Sequence, residues 1–434
     1  MPWREQLSPL QMARIAIVAP KERSRDVLRV IARSGAVQMD LPHTPGSGNE
    51  EMERVIDAAV VEGPVAAWVG WTPISEKAAL TEELGALGAA VTPLKRPRGV
   101  QPPTKYAPTR RLQLSGSLVD TYSTVPYSNL DPAKFAGLAY VFMFGMMFAD
   151  VGHGVILVIV GLLIRSGKIP LFEKIGKTWA FVTAAGATSM VFGFLYGEAF
   201  GPTGLVPTLW INPLDDPTPV MVAALVVGAV LLAIAHVLGA INRVREGGWG
   251  YALYASSGVA GAILFLAVGL LAWGLLAGIV PLTVTAIVVA AAALILIFIG
   301  FLVDAGGGGA GVAQAIVELL DSIIRLGSNI VSFVRLAAFG LTHGALLMVV
   351  WEGTTSLWGP GWRAVAAVLV FLVGNIITFA LEGLVAGIQA LRLEYYELFS
   401  RIFKTEGRPF VAWSPTLDDD PAGLAATPTE RGLE

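Results

Sequence analysis

Apolar residues fill most of the chain after residue 134, in long runs that short polar segments separate. A helix needs about 20 apolar residues, at 1.5 Å per residue, to cross a bilayer. Six runs are long enough: Trp179–Phe200, Val220–Ile241, Tyr251–Val280, Leu282–Val303, Val317–Trp351 and Ala364–Tyr395. The pattern therefore predicts a mainly α-helical polytopic membrane protein.

A further apolar run, Phe135–Ile164, is long enough for one tilted helix or for two short ones. Its middle carries two glycines, which permit a turn, beside Asp150 and His153. These two polar residues are expected either to cap such a turn or to have a functional role.

Loop charge favours two short helices, because Lys and Arg concentrate on the cytoplasmic side of membrane proteins. The loops 165–178 and 243–250 and the C-terminal end are basic, whereas the loop 201–218 has two aspartates and neither Lys nor Arg. If both termini and the basic loops are cytoplasmic, Phe135–Ile164 must enter and leave on one side. We expect about eight transmembrane helices, the last two long and tilted; a single tilted span would leave seven.

The pattern before residue 109 is different, with short apolar segments. It predicts strands at residues 12–19, 36–41, 65–71 and 89–94 and helices at residues 21–34 and 75–87. The order βαβ–βαβ is that of a ferredoxin-like α+β domain. The predicted organisation is a cytoplasmic domain at 1–108, a linker at 109–134, a transmembrane domain at 135–403 and a cytoplasmic tail at 404–434.

Composition agrees with this division. Charged residues make up 15% of the chain, against about 25% in soluble proteins. Residues 1–134 hold 30 of the 63 charged side chains, and residues 135–402 hold 24. A net charge of −3 gives no basic surface for nucleic acid. The sequence has no cysteine, and its N-terminal domain shows neither a phosphate loop nor metal-ligand spacing. We expect neither a cofactor nor a metal, and no enzyme activity of the chain alone.

Charges inside membrane spans are costly and usually mark ion pathways. The polar residues of Val317–Trp351 recur at helical spacing along one face; they are Asp321, Arg325, Ser328, Ser332, Arg335 and Thr342. Arg335 lies deep in the run, and His343 follows roughly 12 Å along the axis. Asp321 is either functional or the ion-pair partner of Arg325, and His343 is either functional or a packing residue.

The last span has a similar polar face, formed by Asn375, Thr378, Glu382 and Gln389 and followed by Arg392. An arginine keeps its proton, so it acts as a fixed positive charge that favours the ionised form of a nearby carboxylate. Carboxylates and histidine beside it can relay protons.

Several motifs together resemble one family. SFVRLAAFGLTHG (332–344) and LEGLVAGIQALRLEYYELFSRIF (381–403) are similar to the last two membrane helices of the a/I subunit of V-type and A-type rotary ATPases. FMFGMMFADVGHG (142–154) and GFLYGEAFG (193–201) resemble its earlier membrane motifs. GRPF (407–410) and both ends of the N-terminal domain also match, so the resemblance covers nearly the whole chain.

The resemblance implies a stator subunit with two ion half-channels beside a rotating proteolipid c-ring, in a prokaryotic cell membrane. Arg335 would be the essential arginine that faces the ring carboxylate, and Arg392 the second arginine. Glu382 and His343 would belong to the half-channels, and Asp321 would lie near the cytoplasmic vestibule. A central-stalk subunit that caps the ring and peripheral-stalk subunits would be further partners.

One departure concerns the segment between Asp40 and Pro64, where the family inserts a long helical hairpin with a distal lobe that contacts the peripheral stalk. This chain has about two dozen residues there. This departure leaves open an assembly scaffold that does not transport. A transporter or channel that works alone is a further alternative.

Overall fold

The computed structural model describes residues 8–41, 48–97, 100–106, 114–168, 175–255, 258–403 and 407–415. Two compact units divide the chain. The N-terminal lobe comprises residues 1–107, 124–127 and 407–434, and the membrane unit comprises residues 108–123 and 128–406. Most of the predicted cytoplasmic tail, and the basic residues Lys174 and Lys404, lie outside the described residues.

An antiparallel sheet forms the N-terminal lobe. Its strands are β1 (Met12–Pro20), β2 (Gln38–Met39), β3 (Val60–Glu62), β4 (Val65–Pro73) and β5 (Ala90–Pro93), and its helices are α1 (Ser24–Ser34), α2 (Gly48–Asp57) and α3 (Ile74–Gly85). The strand order is β2-β4-β1-β5, and β3 also pairs with β4. Each predicted strand and helix of this region is confirmed, whereas α2 and β3 were not predicted.

The core of the lobe lies between the sheet and its helices. Alternate residues of β1, including Ile15 and Ile17, are fully buried against apolar residues of α1. Trp413 joins the same core, and its backbone N–H donates to the Val37 carbonyl over 2.8 Å. Residues 407–415, which the sequence assigns to a separate tail, therefore pack in the N-terminal lobe.

Replacing Trp413 by alanine should destabilise the lobe by about 3–5 kcal/mol, because it leaves a cavity in the core. Hydrogen exchange measured by mass spectrometry on the full chain should show faster exchange at β1 and β4. Val411→Ala is the matched control, since Val411 lies in the same segment and is exposed. Equal effects of the two variants would contradict this packing.

The membrane unit is helical. Its helices are α4 (Leu114–Tyr122), α5 (Ala133–Met147), α6 (Val151–Ser166), α7 (Trp179–Tyr196), α8 (Pro217–Tyr254), α9 (Val259–Leu276), α10 (Val280–Asp304), α11 (Gly308–Ser332), α12 (Val334–Leu357), α13 (Trp362–Leu393) and α14 (Ser400–Ile402). Six helical segments found among the described residues are long and apolar enough, by length and composition, to cross a membrane. The last two run over Gly308–Leu357 and Trp362–Ile402, and all six include the predicted runs or most of each.

The run Phe135–Ile164 consists of two short helices, α5 and α6, as predicted. Asp150 is the last residue between the two helices, directly before α6. Its Oδ1 accepts a hydrogen bond of 2.8 Å from the His153 backbone N–H. Its Oδ2 accepts another, of 2.9 Å, from the Gly201 N–H. Asp150 is therefore the N-cap of α6, one of the two roles that the sequence left open.

Helices α6 and α7 pack through glycines, which let two helix backbones approach closely. A Cβ atom at Gly186 of α7 would lie 2.7 Å from the Gly154 carbonyl oxygen and 2.7 Å from the Val158 nitrogen, both in α6. These are backbone atoms, so neither can move away by changing a rotamer.

The variant Gly186→Ala should therefore destabilise the membrane unit by about 1–3 kcal/mol through overpacking. The control is Gly269→Ala in α9, where a Cβ atom would meet nothing within 4 Å. Thermal unfolding of the purified chain in detergent, followed by tryptophan fluorescence, should show a lower midpoint for the first variant alone. Similar midpoints would show that α6 and α7 can separate without cost.

Candidate functional site

Four arginines and two acids lie together on the last two long helical segments. We name them the arginine cluster; they are Arg325, Arg335, Arg392, Arg401, Asp321 and Glu397. Four positive and two negative charges leave a formal surplus of two positive charges. The cluster draws on α11, on α12 and on the segment from α13 to α14, so it exists only when these elements pack together.

Glu397 is the acid at the centre of the arginine cluster. It interacts electrostatically with Arg335, Arg392 and Arg401. The Asn329 amide can bridge Glu397 and Arg401, with its nitrogen 3.0 Å from Glu397 Oε2 and its oxygen 2.7 Å from Arg401 Nη2. Glu397 thus lies within electrostatic range of three cations, although the sequence analysis did not select it.

Arg335 lies at the start of α12, directly after a tighter turn at the buried Phe333. Its side chain is half-buried, and Arg392 is a like charge beside it. Its Nη1 is buried without a hydrogen-bond partner in the described part of the chain. The guanidinium therefore keeps a donor that Glu397 does not use.

Asp321 pairs with Arg325 one turn along α11, with 2.7 Å between Asp321 Oδ2 and Arg325 Nε. Both side chains are more than half exposed, so the pair contributes about 1 kcal/mol or less to stability. This geometry favours the ion-pair interpretation of Asp321 that the sequence left open.

His343 belongs to a different group, the buried histidine cluster, which consists of Asp150, His153 and His343. All three side chains are fully buried. The two imidazole rings are 5.4 Å apart between centroids, and the ring of Phe148 lies 4.7 Å from that of His343. The sequence did not predict that Asp150 and His153, in the first apolar run, would meet His343 in a late helix.

Glu382 is buried in α13. No hydrogen bond or ion pair joins its side chain to another residue within the parts of the chain that the structure describes. Of the five predicted site residues, Arg335, Arg392 and Asp321 therefore share the arginine cluster, His343 lies in the buried histidine cluster, and Glu382 stands apart from the contacts of both.

Known proteins support one assignment of the chain. Residues 64–215 match the V-type ATPase 116kDa subunit family. A-type ATP synthase subunit I of Aeropyrum pernix is 28% identical over 357 residues, which cover 71% of this chain and 51% of the relative. The subunit I of Pyrococcus horikoshii is 26% identical, with coverages of 68% and 44%.

These matches support a member of the V/A-type ATPase subunit a/I family. It spans about half the length of the curated relatives it matches. The family match includes Asp150 and His153 of the buried histidine cluster and ends before Arg335.

Glu397→Gln should lower the stability of the membrane unit by an amount on the order of 2 kcal/mol, because it leaves the neighbouring arginines without their shared acid. The loss should grow at low ionic strength, where repulsion between the exposed arginines is less screened. Thermal unfolding at two salt concentrations measures both effects. Glu352→Gln, which changes an exposed acid of α12, should show neither; a salt-independent loss would mean that Glu397 acts by packing alone.

Proposed function

We propose that this chain is the membrane stator subunit of a rotary V/A-type ATPase or ATP synthase, and that it forms two ion half-channels beside a proteolipid c-ring. It has no catalytic nucleotide chemistry of its own. The proposal rests on the surroundings of Arg335. Its side chain is half-buried, its Nη1 has no hydrogen-bond partner among the described residues, and it interacts electrostatically with Arg392 and Glu397.

The mechanism is electrostatic. A carboxylate of the ring arrives neutral from the lipid, and near Arg335 its ionised form is favoured, so it releases its ion. Arg335 itself keeps its proton and does not carry the ion. Glu397 restrains the arginines without cancelling them, because the arginine cluster retains its surplus of positive charge.

The half-channels require polar atoms on both sides of that charge. We assign Glu382 and His343 to the half-channels and Asp321 to the cytoplasmic vestibule. The translocated ion is H⁺ or Na⁺, and the carboxylate site of the ring selects between them. Rotation of the ring then couples this translocation to a catalytic part on other chains.

The topology proposed is one of eight crossings in a prokaryotic cell membrane, with both termini cytoplasmic. The two short helices α5 and α6 and the basic loops support it. The strand order β2-β4-β1-β5 supports a ferredoxin-like cytoplasmic lobe. A central-stalk subunit and peripheral-stalk subunits are the further partners.

The test is Arg335→Ala in the assembled complex. The variant should assemble but lose ATP-driven ion uptake into vesicles, by roughly 100-fold or more, as expected when a preorganised charge is removed. Uptake is measured with a pH-sensitive dye, and assembly by the subunit composition of the purified complex. Undiminished uptake by an assembled variant would overturn the proposal.

Arg363→Ala is the matched control, because Arg363 lies at the other end of α13 and is exposed. It should leave uptake unchanged.

Ion flux through the purified single chain in liposomes separates the stand-alone transporter from the stator. The stator should give no flux that depends on a substrate gradient.

A further inference from the structure

Asn329 lies between Glu397 and Arg401 in the arginine cluster. Its amide nitrogen is 3.0 Å from Glu397 Oε2 and 3.0 Å from the Arg325 carbonyl oxygen, and its amide oxygen is 2.7 Å from Arg401 Nη2. The opposite orientation of the amide would set its oxygen against acceptors and its nitrogen against a donor, so the neighbours fix the orientation. Asn329 thus donates to an acid and accepts from an arginine at the same time.

Neutral groups hold the Glu397 carboxylate. Its hydrogen-bond partners are the Asn329 amide and the Ser332 side chain. Three arginines interact with it electrostatically, yet no ion pair joins it to any of them in the ranges that the structure describes. Asp321, by contrast, makes a direct pair with Arg325, over 2.7 Å. The two acids of the arginine cluster are therefore held in different ways.

This difference affects Arg335. A carboxylate forms stronger hydrogen bonds with a guanidinium than with a neutral amide, so a Glu397 side chain without its neutral partners would pair directly with a neighbouring arginine. Such a pair would cancel positive charge that the cluster now keeps. Arg335 Nη1 is buried and has no hydrogen-bond partner among the described residues, so this donor is available to another carboxylate.

An amide suits both contacts of Asn329. It has two N–H donors and a carbonyl acceptor, whereas a carboxylate has no donor and an apolar side chain has neither. We infer that Asn329 is a positioning residue, which keeps Glu397 from closing an ion pair with the arginines and so leaves Arg335 free for a carboxylate of the ring. The inference rests on the proposed function, because the free charge of Arg335 matters only if a ring carboxylate meets it.

The first test replaces Asn329 in the assembled complex by leucine, which has a similar size and neither a donor nor an acceptor. Glu397 should then pair with an arginine, and ATP-driven ion uptake should fall about 10-fold, which is within the range of coupling between residues of one hydrogen-bond network. Gln314→Leu is the matched control, because Gln314 is an exposed amide of α11 that donates to Glu318 over 2.9 Å. The control should keep full uptake; full uptake in Asn329→Leu overturns the inference.

A cycle of double variants separates positioning from packing. If Asn329 acts through Glu397, then Asn329→Leu should cost less than about 2-fold in uptake when Glu397→Gln is already present, because no acid is left to close on Arg335. An equally large loss in both backgrounds would mean that Asn329 lines the ion path or packs the helices, and it overturns the inference.

A cryo-EM structure of the wild-type complex tests the contact without any variant. The Asn329 amide should lie between Glu397 and Arg401, with no arginine nitrogen within about 4 Å of the Glu397 carboxylate. A direct ion pair there overturns the inference. In the Asn329→Leu complex, the same carboxylate should have moved to within that distance of an arginine.

The outcomes also distinguish this inference from the proposed function. Undiminished uptake by Arg335→Ala rejects the proposed function, whatever the contacts of Asn329. Loss of uptake in Arg335→Ala together with full uptake in Asn329→Leu rejects the positioning role alone.

Discussion

An arginine inside a membrane protein cannot shed its charge, so the surrounding structure must balance it. Glu397 answers part of this constraint in the membrane unit, because it interacts electrostatically with three arginines from two long helical segments. If each arginine had its own acid, the cluster would be a set of closed ion pairs. These arginines instead share one acid, so the arginine cluster keeps the positive surplus on which the proposed function rests.

The position of Glu397 depends on a local change of helix type. Arg392 and Glu397 are five residues apart, and on a regular α-helix they would point about 140° away from each other. The segment Glu394–Phe399 is a π-helix, in which hydrogen bonds join residues five apart. This wider turn brings Glu397 towards the face that carries Arg392. Such segments are rare and occur often at functional sites.

The elements that hydropathy and alternation specify were predictable from the sequence. The six long apolar segments follow because every backbone group in lipid must be satisfied within a helix. The break before α6 follows from an N-cap at Asp150 beside glycines. The strand β3 is three residues long and exposed, so it carries no periodic signal. The place of Trp413 in the core of the lobe depends on a contact with a distant part of the chain.

The site was predictable only where one helix carries it. Arg335 and Arg392 stand out because each is a charge at the polar face of an apolar helix. Glu397 was missed because a regular helical spacing turns it away from that face. Asp150 and His153 were recognised as unusual, but no pattern within one helix could show that they meet His343.

The connection between Asp40 and Pro64 helps to complete the N-terminal lobe. Met52 and Val55 of α2 are buried in the core of the N-terminal lobe, and the Trp68 indole N–H donates to the Val55 carbonyl over 2.7 Å. The short connection between Asp40 and Pro64 thus contributes core residues of its own. Because this connection takes part in the core, the lobe folds around it, and its residues help to bury the apolar face of the sheet.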